Sequence, residues 1–300
     1  GVFAMPGNTF LPIAGPLGTL IAMILGCGIM LVIGYNLSFL MKRSSITGGV
    51  YSYTKEALGR DHAFLSSWFL CLSYLTIVFL NGTAMFYIVR LLAGNSLLGG
   101  ISYNIAGNTI YLAETLISVA VLAIIGTLFI LKKNIVQRLF TVLSIILFLG
   151  VVIVVCACLP SAIQNGAFTS FGSEDVNPIY GIFSLMILAP WAFVGFETVS
   201  FDTAHFKFPL KRILKIIVIA LVGACFSYAF MNIIGVSAYP EEFSSWQEYL
   251  NNIDTQSGVA SVPTFYGVYS VMGTTGLVIM TIAAVASILT GIIGGYRATT

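Results

Sequence analysis

Residues 187–200 read ILAPWAFVGFETVS, and this stretch decides the fold. It lies in a run apolar enough to be a membrane-spanning helix, yet Pro190, Gly195 and Glu197 fall within eight residues of one another. Proline has no N–H and clashes with the preceding turn. Glycine weakens a helix further, and an ionisable group at membrane depth is costly. The plain reading is a proline kink, with Glu197 snorkelling or pairing with a basic residue at the membrane edge. All three residues together favour a helix broken for function. Freed backbone groups persist in a bilayer only where protein or a watery cavity surrounds them.

The composition supports a membrane setting. Of 300 residues, 58% are hydrophobic and 8% charged, against about 25% charged in globular domains. So few charges cannot cover a soluble surface, and the apolar blocks are long enough to cross a hydrocarbon core. The chain reads as an all-α integral membrane protein. Its opening, GVFAMPGNTF, lacks the basic start and sustained apolar run of a signal peptide. Spans are expected near residues 16–41, 64–91, 110–131, 135–159, 178–200, 213–236 and 265–296. The segment up to Ala14 is too short to cross and reads as half a helix.

Charge placement orients these spans. Lys42, Arg43, Lys55, Arg60, Lys132, Lys133, Arg138, Lys207, Lys211, Arg212, Lys215 and Arg297 fall on one face, with Arg90 the exception. Glu174, Asp175, Glu241, Glu242, Glu248 and Asp254 fall on the other. The basic loops are expected to be cytoplasmic. The segment EEFSSWQEYLNN is expected to form a short amphipathic helix on the external surface. Residues 46–59 should form an interfacial helix with Val50, Tyr53 and Ala57 on one face.

GVFAMPGN is a second candidate break, since Gly1 and Val2 start at membrane depth and Pro6-Gly7 follows. Two interrupted segments, one opening each half of a fold, point to a transporter binding site. N–H groups at half-helix starts hold carboxylates, and freed carbonyls hold an ammonium or a cation. That chemistry fits a zwitterion.

These motifs resemble those of the bacterial amino acid permeases in the amino acid–polyamine–organocation superfamily. Gly1-Val2-Phe3 with Pro6-Gly7 is similar to the end of that family's first-helix signature, and Gly15-Pro16 to the start of its second helix. TGGVYSYTKEALG (47–59), with Ala63-Phe64-Leu65 and Trp68, resembles its GGxYxY stretch. Residues 190–197, PWAFVGFE, resemble its sixth-helix box, and Arg297 sits like the arginine closing helix eight. The resemblance implies a five-plus-five inverted-repeat fold like that of the leucine transporter, in a multi-pass protein of the bacterial inner membrane. Helices one and six would be discontinuous, the first repeat about 1–160 and the second from about 178. Family members number about twelve helices, so the chain reads as a single, partial transporter domain running from inside helix one to helix eight, its second repeat incomplete.

By this resemblance the backbone of Gly1, Val2 and Phe3 would serve a substrate carboxylate. Ala189, Trp191, Ala192, Val194 and Gly195 would line the amine and side-chain side. Trp191 is either a gate stacking over substrate or a packing tryptophan. Departures exist too: a frequent helix-two glutamate is replaced around Asn36, and a lysine found in helix five of some members matches Ser144. Ser287 and Thr290 lie where sodium-dependent relatives place hydroxyl ligands, but such residues also pack helices.

Glu197 either titrates, as a proton carrier or pH sensor, or accepts N–H groups freed at the break. Cys71, Tyr74 and Asn81 either face the site or pack between helices. The sequon Asn81-Gly82-Thr83 lies mid-membrane and carries no meaning. The five cysteines, Cys27, Cys71, Cys156, Cys158 and Cys225, read as small hydrophobes. His62 and His205 have no metal-ligand spacing. No P-loop, nucleophile elbow or carboxylate pair is present, so neither an enzyme, a cofactor nor a nucleic-acid partner is expected. The expected function is secondary active transport of an amino acid or related amine by alternating access, with a possible coupling proton or sodium ion. The alternative is a non-transporting sensor or scaffold subunit that keeps the fold.

Overall fold

The computed structural model describes residues 1–43, 48–93, 100–105, 108–172, 177–201, 203, 206 and 208–299. A π-helical segment, Pro6–Phe10, leads into α1 (Leu11–Arg43), followed by α2 (Gly49–Leu58) and α3 (Arg60–Ala93). The strands β1 (Ser102–Ile105) and β2 (Asn108–Tyr111) precede α4 (Leu112–Leu131), α5 (Lys133–Gln164) and α6 (Pro178–Ala192). Then come α7 (Ile213–Ile234), α8 (Trp246–Asn251) and α9 (Pro263–Thr299). Seven of these segments are long and apolar enough to cross a membrane, at the positions expected from sequence. Glu174, Asp175, His205 and Lys207 lie outside the described residues.

Two of the long helices fold back on themselves. In α1, Gly15 has φ 67° and ψ −177°, a conformation essentially reserved for glycine. The Thr19 hydroxyl reaches the Phe10 carbonyl at 3.3 Å. Nine residues of straight helix would span about 13 Å, so the chain has reversed at Gly15. The expected half-helix before Gly15-Pro16 therefore exists. Gly273 (φ 63°, ψ −153°) does the same to α9. A Cβ on Gly276 would lie 2.9 Å from Val268, so the expected single span at 265–296 is a short helix folded onto a long one. Nothing in a stretch of apolar and small residues announces that bend.

Interhelical contacts give the directions of the rods. Pro16–Asn232, Met23–Cys225 and Cys27–Leu221 pair in opposite order, so α1 and α7 are antiparallel. Gly18–Ile182 and Gly26–Ala189 rise together, so α1 beyond Gly15 and α6 are parallel. Gly82–Leu122 and Arg90–Glu114 make α3 and α4 antiparallel. Asn81–Gly291 and Val78–Gly295 do the same for α3 and α9. All four relations are those of seven spans that cross in strict alternation.

Three apolar clusters hold the rods. One joins α3, α4, α5, α7 and α9 around Val154, Cys158, Met280 and Ile292. A second joins α1, α6 and α7 around Met23, Leu185, Ala189 and Leu221. A third holds Leu11, Ala162, Ile233 and Trp246. Small residues let backbones approach, as in other membrane bundles: a Cβ on Gly26 would meet Ala189 at 2.5 Å, and one on Gly150 would meet Ala283 at 2.6 Å.

Several local expectations are corrected. The helix of the 110–131 span starts at Leu112, after the antiparallel strands β1 and β2, so the described residues are not purely helical. α5 runs through Pro160 to Gln164 rather than ending at 159. In α2 Tyr53 is buried, but Ala57 is exposed, because only one turn of the helix meets the cluster below. α8 does form, capped by Ser245. Its apolar residues Trp246 and Leu250 bury against Leu11 and Ile233 rather than facing lipid.

Candidate functional site

α6 ends at Ala192, after Pro190 rather than at it. Proline in the last turn forfeits one hydrogen bond to the carbonyl a turn earlier, which a helix end tolerates. The chain leaves helical geometry at Phe193, and Gly195 takes φ 112°, in the left-handed region that favours glycine. A short 3-10 segment, Phe196–Ser200, follows. Phe193 N–H bonds the Pro190 carbonyl at 3.1 Å. The last carbonyls of α6, from Trp191 and Ala192, and that of Val194 therefore have no donor in a following helical turn.

Glu197 secures the break. One carboxylate oxygen accepts the Gly195 N–H at 3.0 Å, and the other accepts the Tyr74 hydroxyl from α3. Thr198 donates to the Gly195 carbonyl at 2.6 Å, and Ser200 to that of Glu197 at 2.7 Å. Glu197 thus accepts a freed N–H and also ties α3 to the unwound segment. The Tyr74–Glu197 pairing was not legible in the sequence: the residues are 123 apart, and neither motif specifies the other.

The first segment, from Gly1, is held by backbone and side-chain contacts. Ala4 and Met5 donate to the Gly1 carbonyl at 3.3 and 3.1 Å, which begins a helical turn at Gly1. Thr264 donates its hydroxyl to the Phe3 carbonyl, and Asn8 Nδ2 donates to Ser261 at 2.9 Å. Val2 and Phe3 are buried in the α3–α5–α9 cluster. Gly1 packs so closely on α7 that an added Cβ would lie 2.9 Å from the Tyr228 hydroxyl. Met5 and Tyr228 in turn pack on the cluster that contains Phe193 and Ala189. The two broken segments therefore share one apolar neighbourhood.

The remaining candidates are placed as follows. The Ala189 side chain sits in the α1–α6 seam against Gly26, so only its backbone is oriented by the break. Trp191 and Val194 are each more than two-fifths exposed, and Ala192 is half-buried. Tyr74 is buried and Cys71 half-buried, three residues apart on α3. Ser144 donates to Phe140 at 2.8 Å, and Thr290 to Ala286 at 2.9 Å, both within their own helices. Ser287 is half-buried on α9, one turn from Thr290. The exceptional basic residue, Arg90, has a partner that sequence reading missed. Its guanidinium holds Glu114 by two parallel bonds of 2.7 and 2.8 Å, and Glu114 also accepts the Tyr111 N–H at 3.2 Å. Among the described residues no group of three or more metal-ligating side chains assembles.

No curated protein matches this chain. A family model does, that of the amino acid permeases, and it matches residues 1–300, which include both broken segments. The chain belongs to the amino acid permease family.

Proposed function

We propose that the protein is a secondary transporter that moves an amino acid, or a related amine, by alternating access around the two breaks. The observation that carries this reading is the unwinding of α6 at Phe193–Gly195, which packs on one cluster with the half-helix that precedes the reversal at Gly15. The N–H groups at the start of the first segment, around Gly1, Val2 and Phe3, receive the substrate carboxylate. The carbonyls of Ala189, Trp191, Ala192 and Val194 receive its ammonium group, and Gly195 lets the chain turn away to expose them. Trp191 closes over the bound molecule. The cytoplasmic face carries the basic helix ends, in a bacterial inner membrane.

The five-plus-five inverted repeat belongs to the same proposal. An inverted repeat requires the second rod of each half to run in opposite senses, and likewise the third. The antiparallel pairs α1–α7 and α3–α9 meet that requirement.

Uptake of labelled amino acids by proteoliposomes containing the whole protein tests the reading, run as a panel with and without sodium and with and without a proton gradient. Uptake of one or a few substrates, matched by substrate-dependent thermal stabilisation, is the expected result. Absence of both across amino acids and amines would overturn it and leave a sensor or scaffold role. The dependence on sodium or protons identifies the coupling ion.

A further inference from the structure

We propose that Cys27 on α1 and Cys225 on α7 are an oxidisable thiol pair which, as a disulfide, staples the two helices together. In sequence the two are 198 positions apart and look like any membrane cysteines. In the structure they face each other in a reciprocal arrangement. The Cys27 thiol donates to the Leu221 carbonyl at 3.8 Å, and the Cys225 thiol donates to the Met23 carbonyl at 3.5 Å. Each acceptor lies four residues before the other cysteine on its own helix, as antiparallel packing demands.

The surroundings favour closure. Cys27 belongs to the α1–α6–α7 cluster and Cys225 packs on it, so both sulfurs sit in one packed body. The reciprocal thiol–carbonyl contacts put the two cysteines at the same level of the α1–α7 seam, the placement a bridge between antiparallel helices needs. Cys71, Cys156 and Cys158 lie on α3 and α5, away from this seam. The step is a two-electron oxidation. Two S–H bonds break and one S–S bond forms. The two electrons and two protons pass to a membrane-permeant azodicarboxamide, whose N=N becomes a hydrazine. A dithiol reductant reverses it.

The test uses the full-length protein in detergent micelles, treated with the azodicarboxamide, alkylated, digested and analysed by mass spectrometry. The expected result is a reductant-sensitive linked peptide joining Cys27 to Cys225, with both sites lost from the alkylated pool. The melting temperature should rise by about 8 °C, as expected for a long loop closed by a disulfide. Cys27→Ser and Cys225→Ser should each abolish the linked peptide and the rise, and the corresponding alanine variants should behave alike. Both thiols remaining alkylatable in oxidant-treated, cooperatively melting protein would overturn the proposal. So would a melting shift that survives in all four variants. Neither readout depends on transport.

Discussion

Removing the Tyr74 hydroxyl tests the bond that ties α3 to the break in α6. Tyr74 is 3% exposed, so Tyr74→Phe keeps the ring packed and deletes only its donation to Glu197. A hydrogen bond contributes about 0.5–1.5 kcal/mol net, and about 1.5–3 where the acceptor is ionised, so a loss of about 1–3 kcal/mol is expected. Glu197→Ala removes the same bond and strands two donors, the hydroxyl of the buried Tyr74 and the part-buried Gly195 N–H. A donor left unpaired away from water adds about 1–3 kcal/mol, so this variant should cost more than Tyr74→Phe by at least about 1 kcal/mol. In the double variant no stranded Tyr74 hydroxyl remains, so its cost should not exceed that of Glu197→Ala alone. The coupling from a double-mutant cycle is then at least about 1 kcal/mol. Chemical unfolding of the full-length protein in mixed micelles measures it. Additive single effects, with coupling below about 0.5 kcal/mol, would refute the claim that this bond joins the two segments.

Gly15→Ala should lower stability by more than about 3 kcal/mol, because the backbone conformation alone costs about 1–3 kcal/mol and the new Cβ would lie 2.3 Å from the Gly172 nitrogen. Gly28→Ala, on the same helix with nothing within 4 Å, is the matched control and should be neutral or slightly stabilising in thermal melts. Glu114→Gln should cost about 1–2 kcal/mol, toward the low end for a broken ion pair, because Arg90 is 38% exposed and can rehydrate. Ser244 donates to the Glu248 carboxylate from both its hydroxyl and its backbone N–H and holds that group below the ordinary range. A depressed folded value makes this contribution complete above the unfolded pKa of about 4.3 and lost as pH falls through the folded one. Ser244→Ala should raise the Glu248 midpoint in an NMR titration, and an unchanged midpoint would sink the assignment.

How far the sequence could be read depended on whether a feature was local. The spans were legible because a hydrocarbon slab selects length and composition, both local properties. The reversal at Gly15 was legible because Gly-Pro followed a segment too short to cross. The exit from α6 was placed in the right stretch, but Pro190 does not end the helix and the turn falls at Phe193–Gly195. Proline removes one donor, and at a helix end that loss is small. The antiparallel pairing of β1 with β2 and the bend at Gly273 were not legible, since neither interrupts hydropathy. Within the candidate site, the backbone motifs could be quoted from sequence. The side-chain ties that hold them, Tyr74 to Glu197 and Thr264 to Phe3, join residues far apart in the chain. Arg90 was visible only as a violation of the charge pattern, and Glu114 supplies the reason it is tolerated.

The division of the core bears on how such a molecule could move. α1, α6 and α7 share one cluster, while α3, α4, α5 and α9 pack in another to which α7 also contributes. The first half-helix belongs to neither alone: Val2 and Phe3 are buried with α3 and α9, whereas Phe10 is buried with α1 and α6. The unwound part of α6 is likewise shared, because Phe193 packs with α1 while Glu197 reaches to α3. Close-packed clusters resist deformation and move as bodies. The boundary between them is crossed by the third cluster, around Leu11, Ala162 and Ile233, and by polar ties such as Tyr74–Glu197 and Thr264–Phe3. A ligand held by backbone groups at both breaks would touch both bodies at once. Under the proposed transport function the breaks would then have a mechanical reason in addition to a chemical one: their backbone groups would lie where the two bodies meet, and binding and movement would act on the same bonds.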